Sequence, residues 1–359
     1  ASLMAEIARM PDTLVTDAEL DEAKKEIVTS TIKGSETAYG SAFELADSVI
    51  RYGDASYADT LLAAIQRTTA ADVQRVAQSI LDDSRRVVVR YLPEQEGASG
   101  DTIETSPDIQ AGTLTIAQAD IPTFTLNLEA TREAPPAPGE PVSARIPPSS
   151  ERTLANGLRV IVAPNRALPL ISANLRVASG GAADPAGRAG LAGITADLLT
   201  RGTETRGAPA IASQIESLGA DISSGAGDDS SAVSLQTRSD RVGEAFTVFA
   251  DVVRNPAFAQ EELDRARQQA LDGLQVALSQ PGSLASMAMS RAIYGDAPYG
   301  AVASPATYGA ITRDDAAGYH ATYWRPDNAV LVITGDVSPQ QGFALAQRYF
   351  GDWARPPVD

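Results

Sequence analysis

The chain has 359 residues, 43% of them hydrophobic, and a formal net charge of −17 at pH 7. This length and hydrophobic content suffice for more than one domain with a sizeable core. The negative charge argues against partners such as nucleic acid and anionic membrane surfaces. The sequence contains no cysteine, which excludes disulfides and thiolate metal sites. No apolar run approaches the ~20 residues of a membrane-spanning helix, and any signal peptide would lie outside these residues.

Residues 1–92 are predicted to form helices followed by one strand. Thr16 and Glu19 make a capping-box pattern before the first long helix, and Thr69 with Asp72 marks the start of the last. Helical periodicity extends over 17–33, 41–52, 57–67 and about 70–81. The β-branched run at 85–92 predicts a strand.

Residues 93–150 are polar, acidic and rich in proline, a composition typical of a linker. One alternating run at 124–128 predicts a short strand. Such a long connection is unusual within a compact domain, so it predicts a boundary between two domains.

Residues 151–359 are predicted to form a complete α+β domain, with an antiparallel-rich sheet backed by helices. Its predicted strands lie at 158–163, 170–178, 220–224, 232–237 and 329–334. Its predicted helices lie at 190–203, 208–218, 240–253, 259–278 and 338–349.

The chain contains an internal repeat at a shift of 243 residues. At this shift 19–23 (Glu-Leu-Asp-Glu-Ala) falls on 262–266 (Glu-Leu-Asp-Arg-Ala), and Thr69 and Asp72 fall on Thr312 and Asp315. The run 52–57 (Tyr-Gly-Asp-Ala-Ser-Tyr) matches 294–299 (Tyr-Gly-Asp-Ala-Pro-Tyr) with a slip of one residue. The repeat predicts two copies of one domain, of which 1–92 is the back part of the first. Without its front part, this first copy should expose apolar helix faces, including Val73, Val76 and Ile80.

The predicted helix at 190–203 reads Gly-Leu-Ala-Gly-Ile-Thr-Ala-Asp-Leu-Leu-Thr-Arg-Gly-Thr and follows a glycine-rich turn. Leu191, Ile194, Leu198 and Leu199 recur at helical spacing, which predicts one buried face. Gly202 is predicted to close the helix in a left-handed conformation.

This stretch resembles the zinc-binding helix of the pitrilysin/insulinase peptidases, the inverzincins, which include mitochondrial processing peptidase. In that family the helix carries His-x-x-Glu-His, two zinc ligands and a general base. The surrounding residues match the family pattern at Gly190, Leu191, Ala192, Leu199, Gly202 and Thr203. The family's two histidine positions are here Gly193 and Asp197, its base position is Ala196, and its third ligand position, on a later helix, is Gly273.

The resemblance implies a degenerate, non-catalytic domain of a protein that fuses two halves. Zinc is expected in a catalytic partner half, from the same gene or another subunit, and none in this chain. The family binds extended peptides at a sheet edge, which here implies a peptide site at Ser223, Ser224, Gly225 and Ala226. The sequence itself does not identify a compartment; the resemblance favours a periplasmic or otherwise extracytoplasmic location.

Other candidate sites are better explained by structural roles. Asp197 alone lacks the further donors that a metal needs, and His320, the single histidine, makes neither a zinc site nor a catalytic dyad. The acidic run at 227–231 is predicted to be a hairpin turn, although its oxygens could bind a hard cation. The glycine-rich run at 180–190 lacks the Gly-Lys-Ser/Thr ending of a phosphate-binding loop.

Three functions remain open. The first is the non-catalytic part of a pitrilysin-like peptidase, which lines the peptide chamber opposite a zinc-bearing half. The second is a structural or assembly protein, like the catalytically dead core subunits of respiratory complexes. The third is an independent hydrolase that uses aspartates. The first is favoured, because fused halves with one degenerate copy suit a peptidase better than a scaffold.

Overall fold

A computed structural model describes residues 2–81 and 148–355, together with the isolated residues 87, 89 and 139. The predicted short strand at 124–128 lies outside the described residues. So do nearly all of the predicted linker at 93–150 and most of the predicted strand at 85–92. The helices up to Ile80 and the residues from 148 onwards belong to one compact unit.

The described N-terminal range folds into five helices, three of which, α2, α3 and α5, start at a capping side chain. In the predicted capping box, the backbone N–H of Thr16 donates to Glu19 Oε2 at 2.7 Å and that of Glu19 donates to Thr16 Oγ1 at 3.2 Å. A second cap, Thr37, starts the next helix a few residues earlier than predicted. The helices are α1 (Ser2–Arg9), α2 (Asp17–Gly34), α3 (Ala38–Tyr52), α4 (Tyr57–Arg67) and α5 (Ala70–Ile80).

The C-terminal range is built on a six-stranded sheet with the order β1-β2-β6-β3-β5-β4. Its strands are β1 (Ser150–Thr153), β2 (Arg159–Pro164), β3 (Leu170–Val177), β4 (Asp221–Ala226), β5 (Ser231–Arg238) and β6 (Ala329–Gly335). β2 and β6 pair in parallel, and the other neighbouring strands pair antiparallel. The prediction that 158–163 and 329–334 share one antiparallel-rich sheet is therefore confirmed.

Helices α6 to α13 follow in the same range. They are α6 (Leu191–Leu199), α7 (Ala208–Ser217), α8 (Val242–Arg254), α9 (Gln260–Ser279), α10 (Pro281–Tyr294), α11 (Pro305–Ala310), α12 (Arg313–Tyr323) and α13 (Pro339–Phe350). The predicted helices are confirmed, but α10, α11 and α12 were not predicted. A helix is recognised in a sequence by the apolar stripe that it buries. α10 has no fully buried residue, so this signal is weak. β1 was missed because it is short and polar.

The helices cover one face of the sheet, and the main core lies between the two layers. Strands β3, β5 and β6 alternate buried and half-buried residues, as a sheet with one covered face requires. The largest fully buried side chains in this core are Phe246 and Phe249 of α8 and Phe350 of α13. Helix α6 packs against β4 and β5 of this sheet and against α9, and β4 lies at the edge of the sheet.

Candidate functional site

Helix α6 is buried on nearly every side. Seven of its nine residues are buried, while Gly193 is exposed and Asp197 half-buried on one narrow strip. The prediction of a single buried face was thus too narrow, because the helix lies between the sheet and two other helices, α9 and α12. Gly202 has the predicted positive φ, +142°, but it does not close the helix: α6 ends at Leu199 with a right-handed cap at Thr200, and Gly202 forms a β-bridge with Gly207.

The start of α6 is held by one carboxylate. Asp184 accepts hydrogen bonds from the backbone N–H groups of Gly190 (2.8 Å), Leu191 (3.1 Å) and Ala192 (2.8 Å). Burial raises the pKa of Asp184, and the three hydrogen bonds oppose that shift. Gly190 has φ +100°, and a Cβ there would lie 2.5 Å from the Tyr308 ring. The glycine-rich turn therefore fixes the position of α6.

The four positions that the resemblance assigns to the ligands and the base, Gly193, Ala196, Asp197 and Gly273, lie on α6 and α9, which pack against each other. The side chain of Ala196 is completely buried, and Gly273 is exposed on α9. An arginine connects the two helices here: Arg201 Nη2 lies 2.9 Å from Asp197 Oδ2 and donates to Gln269 Oε1 at 2.6 Å. Gln269 stands one helical turn before Gly273.

This arrangement does not provide a zinc site. A zinc ion needs three or four donor side chains, whereas two of the four positions are glycine and one is alanine. The remaining carboxylate, Asp197, is paired with Arg201. Across the described ranges 2–81 and 148–355, no group of three or more His, Cys, Asp or Glu side chains could hold a metal. Arg201 and Gln269 were missed in the sequence, although the spacing of Asp197 and Arg201 is that of a helical ion pair.

The edge strand β4 presents free backbone groups. The backbone N–H of Gly227 donates to Ser230 O at 2.8 Å, which makes these two residues a hydrogen-bonded pair. Alternation along the antiparallel ladder then directs the N–H and C=O of Gly225 and Ser223 towards β5. It directs those of Ile222, Ser224 and Ala226 away from the sheet. No described residue forms a hydrogen bond with these outward groups, so the edge can accept another strand.

One end of this edge meets the first of the family's ligand positions. Gly193 and Ala226 line the same cavity, of about 220 Å³, together with Asp228 and Pro298. Beside it, Tyr299 Oη donates to Asp229 Oδ1 at 2.5 Å, and this contact raises the pKa of Tyr299. An extended chain paired with β4 would therefore run towards Gly193.

The other end of the edge lies beside α2. Lys33 forms an ion pair with Asp221, and Gln236 Nε2 donates to Glu36 at 3.3 Å. Thr29 is 2% exposed and packs against Gly219, just before β4. Helix α2 therefore covers the beginning of β4 and leaves the outward groups from Ile222 onwards accessible.

The other candidate sites from the sequence, His320 and the acidic turn, have structural roles. His320 Nε2 donates to the Val253 carbonyl at 2.9 Å, and its ring contacts those of Phe258 and Trp324. Residues 227–230 form the turn between β4 and β5, so the predicted hairpin is confirmed. No helix among the described residues combines the length and the hydrophobicity that a membrane crossing requires.

Comparison with known proteins agrees with this architecture. Residues 159–304 match the family model described as insulinase (peptidase family M16), and residues 310–358 match that of the peptidase M16 inactive domain. An uncharacterized zinc protease from Rickettsia bellii is 25% identical over 199 residues, which cover 55% of this chain and 48% of the relative. The chain thus spans about half the length of the curated relatives it matches.

Two solved structures show a similar fold. The peptidase M16 inactive domain from Pseudomonas fluorescens is 30% identical, with a TM-score of 0.56 over 59% of this chain and 52% of its own. The periplasmic protease PqqL from Escherichia coli is 16% identical, with a TM-score of 0.53 over 58% of this chain and 25% of its own. In both cases the similarity covers about half or less of the other protein.

Proposed function

Through residues 159–358 the chain belongs to the insulinase (M16) family of peptidases, and we propose that it forms a non-catalytic wall of the peptide chamber opposite a zinc-bearing half. The observation that carries this proposal is the open edge of β4, which ends beside family positions that have lost their ligands. The chain has retained the surface for an extended peptide and has lost the groups for hydrolysis.

The missing groups are those that peptide hydrolysis requires. A bound zinc supplies an activated water, and a glutamate beside it acts as base. With Gly193, Ala196, Asp197 and Gly273 at the four positions, this chain supplies neither the ligand set nor the base. At the repeat shift of 243 residues, Ser30 of α2 is the residue equivalent to Gly273. The first copy therefore offers no third ligand either. The zinc is therefore expected to come from a half outside residues 1–359.

Strand addition explains why the edge remains open. An added strand obtains its affinity from main-chain hydrogen bonds and its specificity from alternate side chains. Ile222, Ser224 and Ala226 provide the outward main-chain groups, while Ser223 and Gly225 provide small side-chain surfaces on the open face of the sheet. This pattern suits peptide segments of varied sequence. At the end of the edge near Gly193, the acidic turn residues Asp228 and Asp229 favour basic segments by electrostatic attraction.

The relatives support a proposed location and a proposed partner. The Escherichia coli protease is described as periplasmic, and we place this chain in a periplasmic or other extracytoplasmic compartment. Because similarity covers only about half of each curated relative, a second half is expected to complete the chamber. That half would carry His-x-x-Glu-His and the zinc.

The proposal is tested by blocking the edge with proline. Ser224→Pro removes an N–H that points away from the sheet, so β4 should keep its pairing with β5. We expect the binding of an extended fluorescent peptide library to weaken at least tenfold in fluorescence anisotropy. Ser224→Ala, which keeps the N–H, serves as the matched control and should bind like the wild type.

The outcomes separate the candidate functions. Equal binding by wild type, Ser224→Pro and Ser224→Ala would show that the edge of β4 is not the peptide site. A chain that binds none of these peptides, with or without a zinc-bearing half, would favour the structural or assembly function.

A further inference from the structure

Another cavity, of about 590 Å³, lies at the end of the sheet opposite to the turn that leads into α6. Its walls come from the turn between β2 and β3, from the segments that follow β5 and β6, and from one side of α13. Its volume is within the range of about 300–1,000 Å³ that is usual for small-molecule sites. The cavity shares no lining residue with the edge of β4 or with the proposed ligand positions on α6 and α9, so it is a separate candidate site.

Backbone hydrogen bonds fix the rim of this cavity. The N–H of Asp336 donates to the Leu170 carbonyl at 2.8 Å, and the N–H of Ser239 donates to the Pro169 carbonyl at 2.9 Å. Gly335 has φ +116°, and a Cβ there would clash with the Leu170 carbonyl oxygen, so this close approach requires glycine. The segments after β5 and β6 are therefore both tied to the beginning of β3, which holds the backbone of Asp336 at the cavity.

The floor of the cavity is apolar. Ile171 and Val337 are each 2% exposed, and both line the cavity. Val242 at the start of α8 and Leu345 of α13 are half-buried and line it as well. Because the removal of apolar surface from water favours binding, this floor suits the apolar body of a ligand.

Two arginines at the cavity have no anionic partner among the described residues. Arg166, in the turn between β2 and β3, is exposed and forms no hydrogen bond or ion pair with any of them. Arg348 of α13 lies over the Tyr349 ring, 5.2 Å from its centroid, and forms no ion pair within the described ranges. A guanidinium group can bind a carboxylate through two parallel N–H donors. The two arginines therefore offer a site for the carboxylate of a ligand.

The cavity also has one free carboxylate. Of its two acidic residues, Asp240 is neutralised by Arg238, which donates to the two carboxylate oxygens at 3.0 Å each. Asp336 is half-buried, yet its carboxylate forms no hydrogen bond or ion pair with another residue that the structure describes. A carboxylate that is partly removed from water is stabilised by a cationic partner. Asp336 is therefore suited to accept hydrogen bonds from an ammonium group.

We propose that this cavity binds a small zwitterion with an apolar body, the class to which dipeptides of apolar residues belong. The carboxylate of the ligand binds Arg166 and Arg348, and its ammonium group binds Asp336. Its side chains contact the apolar floor. A simple anion would leave Asp336 unpaired and a simple cation would leave both arginines unpaired, so only a ligand with both charges matches the cavity. The proposal does not depend on the proposed peptide chamber.

Isothermal titration calorimetry with leucyl-leucine tests this proposal on the 359-residue chain. We expect binding at one site per chain. N-acetyl-leucyl-leucine lacks the ammonium group and leucyl-leucine amide lacks the carboxylate, so each should bind at least tenfold more weakly. No binding of leucyl-leucine at millimolar concentrations, or equal binding of the three compounds, would overturn the proposal.

Substitutions test whether the two charges of the ligand contact the named residues. The double variant Arg166→Gln/Arg348→Gln should bind leucyl-leucine at least tenfold more weakly than the wild type and bind leucyl-leucine amide equally well. Asp336→Asn should likewise weaken leucyl-leucine and leave N-acetyl-leucyl-leucine unchanged. Wild-type affinity for leucyl-leucine in either variant would overturn the proposal.

Two control variants separate this cavity from other surfaces. Arg51→Gln removes an exposed arginine of α3 and should bind leucyl-leucine like the wild type. Ser224→Pro blocks the edge of β4 and should also leave the affinity for leucyl-leucine unchanged. Loss of leucyl-leucine binding in Ser224→Pro would place the dipeptide at the edge of β4 and would overturn the proposal, whereas failure of the peptide chamber would not affect it.

Discussion

At the scale of single residues, the proposed ligand positions differ from the positions that fix the fold around α6. A Cβ built on Gly193 or on Gly273 would meet nothing within 4 Å, so neither glycine is required by packing. These positions have space for side chains and simply lack ligands. The opposite holds at Gly190, whose φ of +100° and contact with Tyr308 demand glycine. The packing around α6 therefore requires glycine at Gly190, whereas Gly193 and Gly273 are glycines that the packing does not require.

Asp197 is expected to stabilise the helix pair and to bind no zinc. Its partner Arg201 is mostly buried, but the carboxylate side chain is 44% exposed, so Asp197→Ala should lower the free energy of unfolding by less than about 1 kcal/mol. Urea unfolding measures this change, and elemental analysis measures zinc. One tightly held zinc per wild-type chain, lost in Asp197→Ala, would contradict the degenerate-site interpretation.

The burial of His320 predicts that the folded chain is less stable in mild acid than at neutral pH. Burial lowers the pKa of His320 from 6.5 to about 4, because the charged imidazole is disfavoured beside Phe258 and Trp324. The contribution of the neutral ring is complete above pH 6.5 and is lost as the pH falls towards 4. Between pH 7 and pH 5, the free energy of unfolding should fall by roughly 1–2 kcal/mol because of this one side chain.

The control for this prediction is His320→Gln, which can still donate to the Val253 carbonyl but does not titrate. Urea unfolding at pH 7 and pH 5 should show a smaller pH-dependent loss for the variant than for the wild type. Identical pH dependence in the two proteins would show that His320 does not titrate as its surroundings imply.

At the scale of elements, local signals in the sequence predicted most helices and strands. Capping patterns at Thr16 and Thr69 and alternation in β3 and β5 are properties of short segments, so they can be recognised without the fold. The order of strands is not local: β6 lies between β2 and β3, although more than 150 residues separate β3 from β6. Arg201 and Gln269 were missed for the same reason, since only the packing of α6 on α9 brings them together.

The repeat supplies a matched pair of substitutions, one in α12 and one in α5. The expectation that Val76 and Ile80 of α5 would be exposed is confirmed, whereas Val73 is half-buried. Tyr319→Ala in α12 removes a buried ring and its hydrogen bond to Gly180, and should lower the free energy of unfolding by about 3 kcal/mol or more. Val76→Ala at the equivalent position in α5 removes a side chain that is 44% exposed, and should cost well under about 1 kcal/mol. Chemical denaturation of the 359-residue chain measures both. Comparable losses would show that α5 is already covered in this chain.

At the scale of the whole molecule, the two copies differ in completeness. The second copy has a sheet, a helical layer and a closed core, whereas the described part of the first copy consists of helices with exposed apolar side chains such as Tyr39, Phe43 and Ile50. The edge of β4 runs past α6 towards Gly193, as the proposed peptide site requires, while the four proposed ligand and base positions carry two glycines, an alanine and one aspartate. The proposed chamber wall, completed by another half, accounts for both features.

The most direct test of this account is a peptide-cleavage assay with zinc supplied and chelator as control. We expect the 359-residue chain alone to cleave no peptide, because it offers neither a ligand set nor a base at Gly193, Ala196, Asp197 and Gly273. Joined to a half that carries His-x-x-Glu-His, it should support cleavage that the chelator abolishes. Chelator-sensitive cleavage by the 359-residue chain alone would contradict the account.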